Sequence, residues 1–78
     1  MFSFVSMIPD RYRIEEITIL QAAFDDATDL LNLDISEHEA RLDVADSLLQ
    51  AARFNGVKSA DLVHDTVLLY QMQSNLAD

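Results

Sequence analysis

Residues 36–57 read SEHEARLDVADSLLQAARFNGV and carry the clearest helix pattern in the chain. Two overlapping residue pairs at its start have the spacing of a capping box, so we expect a helix to begin within two residues of Ser36. These pairs are Asp34 with Glu37, and Ser36 with Glu39. The inner face of this helix is predicted from apolar residues at helical spacing: Leu42, Ala45, Leu48, Leu49 and Ala52.

The end of this helix is marked by the only glycine in the chain. Asn55-Gly56 predicts a C-terminal stop, because glycine adopts the left-handed backbone conformation that ends many helices. Val57 is expected to close a Schellman-type contact there. The predicted helix therefore covers residues 36–54, and its end is better defined than that of any other segment.

Two further helical segments flank this one. The first runs from Pro9, which fits the first position of a helix, to about Asn32. Its apolar face is wide enough to pack against two neighbours, and comprises Ile17, Ile19, Leu20, Ala23, Phe24, Ala27, Leu30 and Leu31. Ser59 is predicted to cap the second, near residues 60–75. Its expected inner face comprises Leu62, Val63, Thr66, Leu69, Tyr70, Gln73 and Leu76.

These segments predict an all-α protein: a small antiparallel three-helix bundle in up-down-up order, with an apolar N-terminal extension at residues 1–8. Connections of about 3 to 5 residues between helices of similar length favour antiparallel neighbours. A chain of 78 residues is expected to form a single domain. Its core is small, so association with another molecule would stabilise it.

The charge of the chain narrows the classes of partner. Fourteen acidic and five basic residues give a net charge of −9. Such a field repels phosphate groups and anionic lipid, so we expect no binding to nucleic acid or to a membrane surface. The chain has no cysteine, no apolar run long enough to span a bilayer and no basic region typical of a signal peptide. We therefore expect a cytoplasmic protein.

The tripeptide Asp46-Ser47-Leu48 resembles the motif of acyl carrier proteins, which are acidic helical domains of similar length. The resemblance covers these three residues and bulk properties alone, and it implies that Ser47 would carry phosphopantetheine. The serine of that motif stands at the exposed start of a helix. Because Ser47 lies deep inside the predicted helix, a carrier function is a remote alternative.

No set of residues predicts a catalytic, cofactor-binding or metal site. Asp61 and His64 have i, i+3 spacing, but two ligands make a weak site, and His38 belongs to another helix. The acidic stretch between Asp25 and Glu37 lacks the glycine and the final glutamate of an EF-hand loop. Neither a nucleophile elbow nor a phosphate-binding loop is present. We therefore expect no enzyme and no cofactor.

Two charged residues fall inside otherwise apolar sectors. Glu16 lies in the apolar arc of the first helix and Arg41 in that of the second. We expect both to lie at helix edges with their charged ends in water. Arg41 could then reach Asp26 or Asp29, and Glu16 could reach Arg53. The alternative is that both face a partner at an interface.

Two apolar surfaces do not fit a self-contained bundle. The third helix carries a second row at i, i+4 spacing, formed by His64, Leu68, Met72 and Leu76, and residues 1–8 are also apolar. Either the N-terminal segment folds over this row and hides it, or one of these surfaces is an interface. The candidate interface residues are Phe2, Phe4, Leu68 and Met72.

These observations do not identify a function, but they favour one class. We expect a non-enzymatic, small acidic helical module that binds a partner protein or associates with itself, for example as a homodimer. The alternative is an acidic inhibitor or nucleic-acid mimic that occupies a basic groove on a target protein. Only the interaction module would depend on the two apolar surfaces, which are the second row of the third helix and residues 1–8.

Overall fold

The computed structural model describes residues 4–76, with side chains up to Gln73. Its helices are α1 (Phe4–Met7), α2 (Ile14–Leu30), α3 (His38–Asn55) and α4 (Leu62–Leu76). Within this part of the chain there is no strand, so the all-α class is confirmed. The three long helices α2, α3 and α4 contact one another pairwise, and the short α1 packs on α2 and α3.

Helix α2 begins later than predicted. Pro9 lies before it in a turn, in which the Tyr12 N–H donates to the Pro9 carbonyl at 3.2 Å. Arg13 then adopts an extended conformation with φ −81° and ψ 164°. Its N–H donates to Glu16 Oε1 at 2.9 Å, which is one half of a capping box. The prediction that Pro9 is the first helical residue is wrong, because this side-chain cap sets the start at Ile14.

Helix α2 ends in a Schellman motif. Asn32 has a left-handed φ of 55°, which asparagine adopts more readily than most residues. Its N–H donates to the Asp29 carbonyl at 3.1 Å, and the Leu33 N–H donates to the Thr28 carbonyl at 3.0 Å. These are the two hydrogen bonds that define the motif. The predicted end near Asn32 is therefore close to the observed one.

Helix α3 begins at His38, two residues after Ser36. The capping pattern is only half formed. Glu37 Oε2 accepts the Asp34 N–H at 2.7 Å, but the Asp34 carboxylate accepts from the Ile35 N–H at 2.7 Å and from Ser36 Oγ at 3.3 Å. The acidic pair therefore shapes the turn that precedes the helix, and the start lies within the predicted limits.

The Asn55-Gly56 stop is confirmed, since α3 ends at Asn55. Gly56 has φ 88° and ψ 151°, a combination that is essentially restricted to glycine. Because this ψ lies far from the left-handed helical region, the Schellman geometry predicted here does not form. Val57 is nevertheless buried. Beyond it, Ser59 Oγ accepts the Asp61 N–H at 3.2 Å. Because α4 begins at Leu62 rather than near residue 60, this bond stabilises the turn before the helix, and the prediction that Ser59 caps α4 is wrong.

The buried apolar residues form one cluster to which all four helices contribute. Its members are Phe4, Ile8, Leu20, Ala23, Phe24, Ala27, Val44, Ala45, Leu48, Ala51, Ala52, Val57 and Leu62. Three predicted inner positions are instead exposed: Leu30, Leu42 and Gln73. An apolar arc wider than the contact between helices leaves its edge positions in water. The side chain of Leu76 lies outside the described part.

The N-terminal segment packs on its own chain. Phe4 is 6% exposed, and its ring stacks on Phe24 with centroids 4.6 Å apart and an interplanar angle of 2°. Arg41 Cζ lies 5.1 Å from the centroid of the same Phe24 ring, a cation–π distance. This contact, rather than Asp26 or Asp29, positions the guanidinium of Arg41. Since α1 does not contact α4, the alternative in which this segment hides the Leu68 and Met72 row is wrong for the described residues.

Candidate interaction groove

Exposed apolar side chains meet between α3 and α4. Phe54 is 85% exposed, Met72 60% and Leu68 44%. They surround a cavity of about 280 Å³, which we call the α3–α4 groove. The groove is lined by Ala51, Phe54, Asn55, Asp65, Leu68, Leu69 and Met72.

Helical spacing explains how these side chains come together. Leu68 and Met72 are one turn apart on α4, and Ala51 and Phe54 are one turn apart on α3. Ala51 is buried, and its small side chain leaves room for the groove. Because α3 ends directly after Phe54, at Asn55, the Phe54 ring lies at the rim of the groove.

A polar contact fixes the two walls of the groove. Asn55 Nδ2 donates to Asp65 Oδ2 at 2.7 Å, which ties the last residue of α3 to the first turn of α4. Charged acceptors make stronger hydrogen bonds than neutral ones. The Asn55 amide therefore holds Phe54 and Leu68 in a defined relation across the groove.

The charges near the groove are negative. Asp65 is the charged residue in its lining, and Asp61 lies one turn earlier, where its carbonyl accepts the Asp65 N–H at 2.8 Å. On α3, the exposed Asp43 lies eleven residues before Phe54, which is close to three full turns and therefore the same side of the helix. The lining contains no Lys or Arg among the residues that the structure describes.

The predicted interface residues lie in different environments in the structure. Leu68 and Met72 both lie in the groove, whereas Phe4 is buried against Phe24 and presents no free surface. Phe2 lies outside the described residues. Sequence reasoning missed Phe54, because it lies between Arg53 and Asn55 and off the predicted inner face. A large aromatic residue at an outward position beside a helix stop was the available signal.

Ser47, the serine of the tripeptide that resembles the carrier motif, is inaccessible to solvent. Ser47 is fully buried in the middle of α3, with Asp46 exposed before it and Leu48 fully buried after it. An enzyme cannot reach this hydroxyl without unfolding the helix. The burial of Ser47 is therefore incompatible with attachment of phosphopantetheine.

The predicted charged positions form no reactive centre. His38 and His64 are both exposed and belong to different helices. Glu16 is half-buried, and its carboxylate accepts the Arg13 N–H at the start of α2 rather than reaching Arg53. Among residues 4–76, no three His, Asp or Glu side chains lie close enough together to hold a metal ion.

A second cavity, of about 400 Å³, lies between α2 and the α3–α4 connection. Its charged lining residues, Asp26 and Lys58, are exposed, and its lining hydroxyl, Ser59 Oγ, already accepts a backbone N–H. The remaining lining residues are apolar.

The buried hydroxyl of Ser47 gives a testable consequence for stability. Its Oγ has no hydrogen-bond partner among the described residues, and an unbonded buried hydroxyl costs about 1–3 kcal/mol. We expect Ser47→Ala to raise the free energy of unfolding by up to about 1 kcal/mol, because alanine also has the higher helix propensity. Urea unfolding followed by circular dichroism measures this.

Thr66 provides the matched control for Ser47. It is also fully buried, but its Oγ1 donates to the Leu62 carbonyl at 2.7 Å. Thr66→Val should therefore lower the free energy of unfolding by about 0.5–1.5 kcal/mol. A loss of stability in Ser47→Ala equal to that in Thr66→Val would contradict the assignment of an unbonded hydroxyl to Ser47.

No helix in the described part of the chain combines the length and apolar character needed to cross a membrane. Comparisons of the chain with protein-family models, with curated proteins and with solved structures find no match.

Proposed function

We propose that this protein is a non-enzymatic interaction module that binds a protein partner through the α3–α4 groove. The observation that carries the proposal is the clustering of Phe54, Leu68 and Met72, all exposed, around one cavity. Single exposed apolar residues are common on protein surfaces, but contiguous ones mark interaction sites. Phe and Met are also enriched at protein interfaces.

The other exposed apolar residues help to define the site by contrast. Val5, Ile14, Leu30, Ile35 and Leu42 are also at least 40% exposed, but none of them lines the groove. They are the expected scatter of apolar residues on a small domain. Ile14, at 83% exposure, matches Phe54 closely and serves as a control position.

The partner is either another protein or a second copy of this chain. In a homodimer, Phe54 of each copy would enter the groove of the other, which is the self-complementary arrangement that two-fold symmetry requires. The expected compartment is the cytoplasm in both cases. The two possible partners differ in charge, because a second copy of the chain carries the same net charge of −9.

A second candidate function is supported by the acidic surface of α2. The exposed residues Glu15, Asp25, Asp26 and Asp29 fall within about 100° of one another around this helix. A basic groove on a target protein would attract such a surface. This mode of binding requires neither Phe54 nor Leu68, and added salt would weaken it steeply.

Site-specific photocrosslinking tests the proposed function. We expect p-benzoylphenylalanine at position 54, introduced into the full chain in cells that naturally express it, to crosslink efficiently to a protein. The aromatic replacement conserves shape at a residue that is 85% exposed, so folding should be unaffected. The readout is the set of crosslinked bands identified by mass spectrometry.

The same photoreactive residue at position 14 is the control, because Ile14 is equally exposed but does not line the groove. Crosslinks that are no stronger from position 54 than from position 14 would contradict the proposal. Crosslinks from the exposed face of α2, at position 25, in the absence of any from position 54 would favour the acidic-mimic candidate instead.

A further inference from the structure

We propose that the occupant of the α3–α4 groove is a cationic amphipathic helix of a partner protein. This inference rests on the proposed function and specifies its partner. It follows from the shape of the groove between two helices, from its apolar lining and from the carboxylates at one of its ends.

The shape of the groove fits a helix. Its walls are α3 and α4, and a helix laid between them would contact both, as an additional member of the bundle. The stretch from Asp61 to Met72 covers twelve residues, or about 16 Å along the axis of α4. A partner helix of about three turns covers this length and presents apolar residues at i, i+3 or i+4, and i+7.

The apolar residues lie toward the Met72 end of this stretch. Leu68 and Met72 follow Asp61 and Asp65 along α4. On the α3 side, Phe54 and Ala51 complete the apolar lining. Carboxylates therefore border the apolar surface at the end where α3 meets α4, beside the Asn55–Asp65 hydrogen bond.

This distribution of charge selects a basic occupant. Lys or Arg side chains near one end of a bound helix would face Asp61 and Asp65. A second copy is disfavoured, because it brings a further net charge of −9 and like charges across an interface oppose association. Among the described residues, the groove lining contains no Lys or Arg that could offset this repulsion.

Synthetic peptides test this inference directly. Three labelled peptides of about 18 residues are compared: one with a leucine face and lysine flanks, one with the same leucine face and glutamate flanks, and one with the lysine peptide's composition in scrambled order. Fluorescence anisotropy with the full-length protein measures each Kd. We expect the lysine amphipathic peptide to bind at least about tenfold more tightly than either of the others.

Variants of the protein assign this affinity to the groove. We expect Phe54→Ala to weaken binding of the lysine amphipathic peptide about tenfold, which is typical of an aromatic hot spot. The double variant Asp61→Asn, Asp65→Asn should weaken it several-fold and reduce the salt dependence of Kd. Ile14→Ala and Asp29→Asn alter exposed positions outside the groove lining, and should leave Kd unchanged. Far-UV circular dichroism confirms that all four variants are folded.

The outcomes separate this inference from the proposed function. Equal affinity for the glutamate or the scrambled peptide would overturn the inference, as would an unchanged Kd in the Asp61 and Asp65 variant. A crosslink from position 54 to a second copy, without peptide binding, would identify a homodimer and also overturn it, while the proposed function would stand. If neither crosslinks from position 54 nor peptide binding occurs, both proposals fail.

Discussion

We expect Phe24→Ala to lower the free energy of unfolding by about 3–5 kcal/mol, the range typical of truncating a buried aromatic residue. Phe24 is 2% exposed and belongs to the cluster that connects the four helices. A domain of this size is stable by roughly 4–12 kcal/mol. The substitution should therefore remove a large share of the stability, and urea unfolding monitored by circular dichroism measures it.

The physical reason for this large effect is that Phe24 joins three segments. Its ring stacks on Phe4 of α1 at 4.6 Å and lies 5.1 Å from Arg41 Cζ of α3. Truncation would leave a cavity and would remove the contact that holds α1 to α2. We therefore expect the variant to lose protection from hydrogen exchange first in α1, and then throughout the bundle.

The control is the same substitution at an exposed phenylalanine. Phe54 is 85% exposed, so Phe54→Ala should change the free energy of unfolding by no more than about 0.5 kcal/mol. Equal losses in the two variants would show that Phe54 is buried by self-association, or that Phe24 is not in the core. Measuring the midpoint at several protein concentrations separates these explanations, because only self-association makes it depend on concentration.

We expect Gly56→Ala to lower the free energy of unfolding by about 1–3 kcal/mol, through backbone strain alone. Gly56 has φ 88°, a value that L-amino acids rarely adopt, and a Cβ built there has no atom within 4 Å. Crowding therefore contributes nothing to the cost. The same unfolding measurement quantifies it, and the loss of stability should come with little change in the folded structure.

Chemical synthesis of the 78-residue chain provides a sharp control for this effect. D-Alanine favours positive φ, so a chain with D-alanine at position 56 should be at least as stable as the glycine chain. Both variants add one methyl group: that of L-alanine points into open space, and that of D-alanine replaces the other α-hydrogen. If L- and D-alanine were equally destabilising, the cost would arise from the added methyl group rather than from backbone conformation.

The sequence predicted a helix boundary well where that boundary depends on the backbone conformation of a single residue. The stop at Asn55-Gly56 is confirmed because a backbone with positive φ strongly prefers glycine. The Ser59 hydroxyl accepts the Asp61 N–H in the turn before α4, although the helix itself begins only at Leu62. The placement of Ser47 inside a helix followed from the same boundaries, and its burial removes the carrier alternative.

A cap that the sequence does not mark explains the main error in helix boundaries. Pro9 fits the first position of a helix, whereas Arg13 is not a residue type that normally opens a capping box with Glu16. The hydrogen bond from the Arg13 N–H to Glu16 nevertheless closes a start at Ile14, and Ile8 packs in the core ahead of it. The observed start therefore depends on a side-chain contact and on the packing of the N-terminal segment, which the local pattern does not predict.

The sequence by itself determined which residues share a helix face, because the helical period follows from backbone geometry alone. It thereby placed Leu68 and Met72 in one row. Only the tertiary structure decided that this row stays exposed, because the Phe4 ring stacks on Phe24 instead of packing on the row. Only the approach of α3 to α4 brought Phe54 beside the same row. Periodicity relates residues within one helix, whereas a groove is made by two helices, and their packing depends on how the whole core is filled.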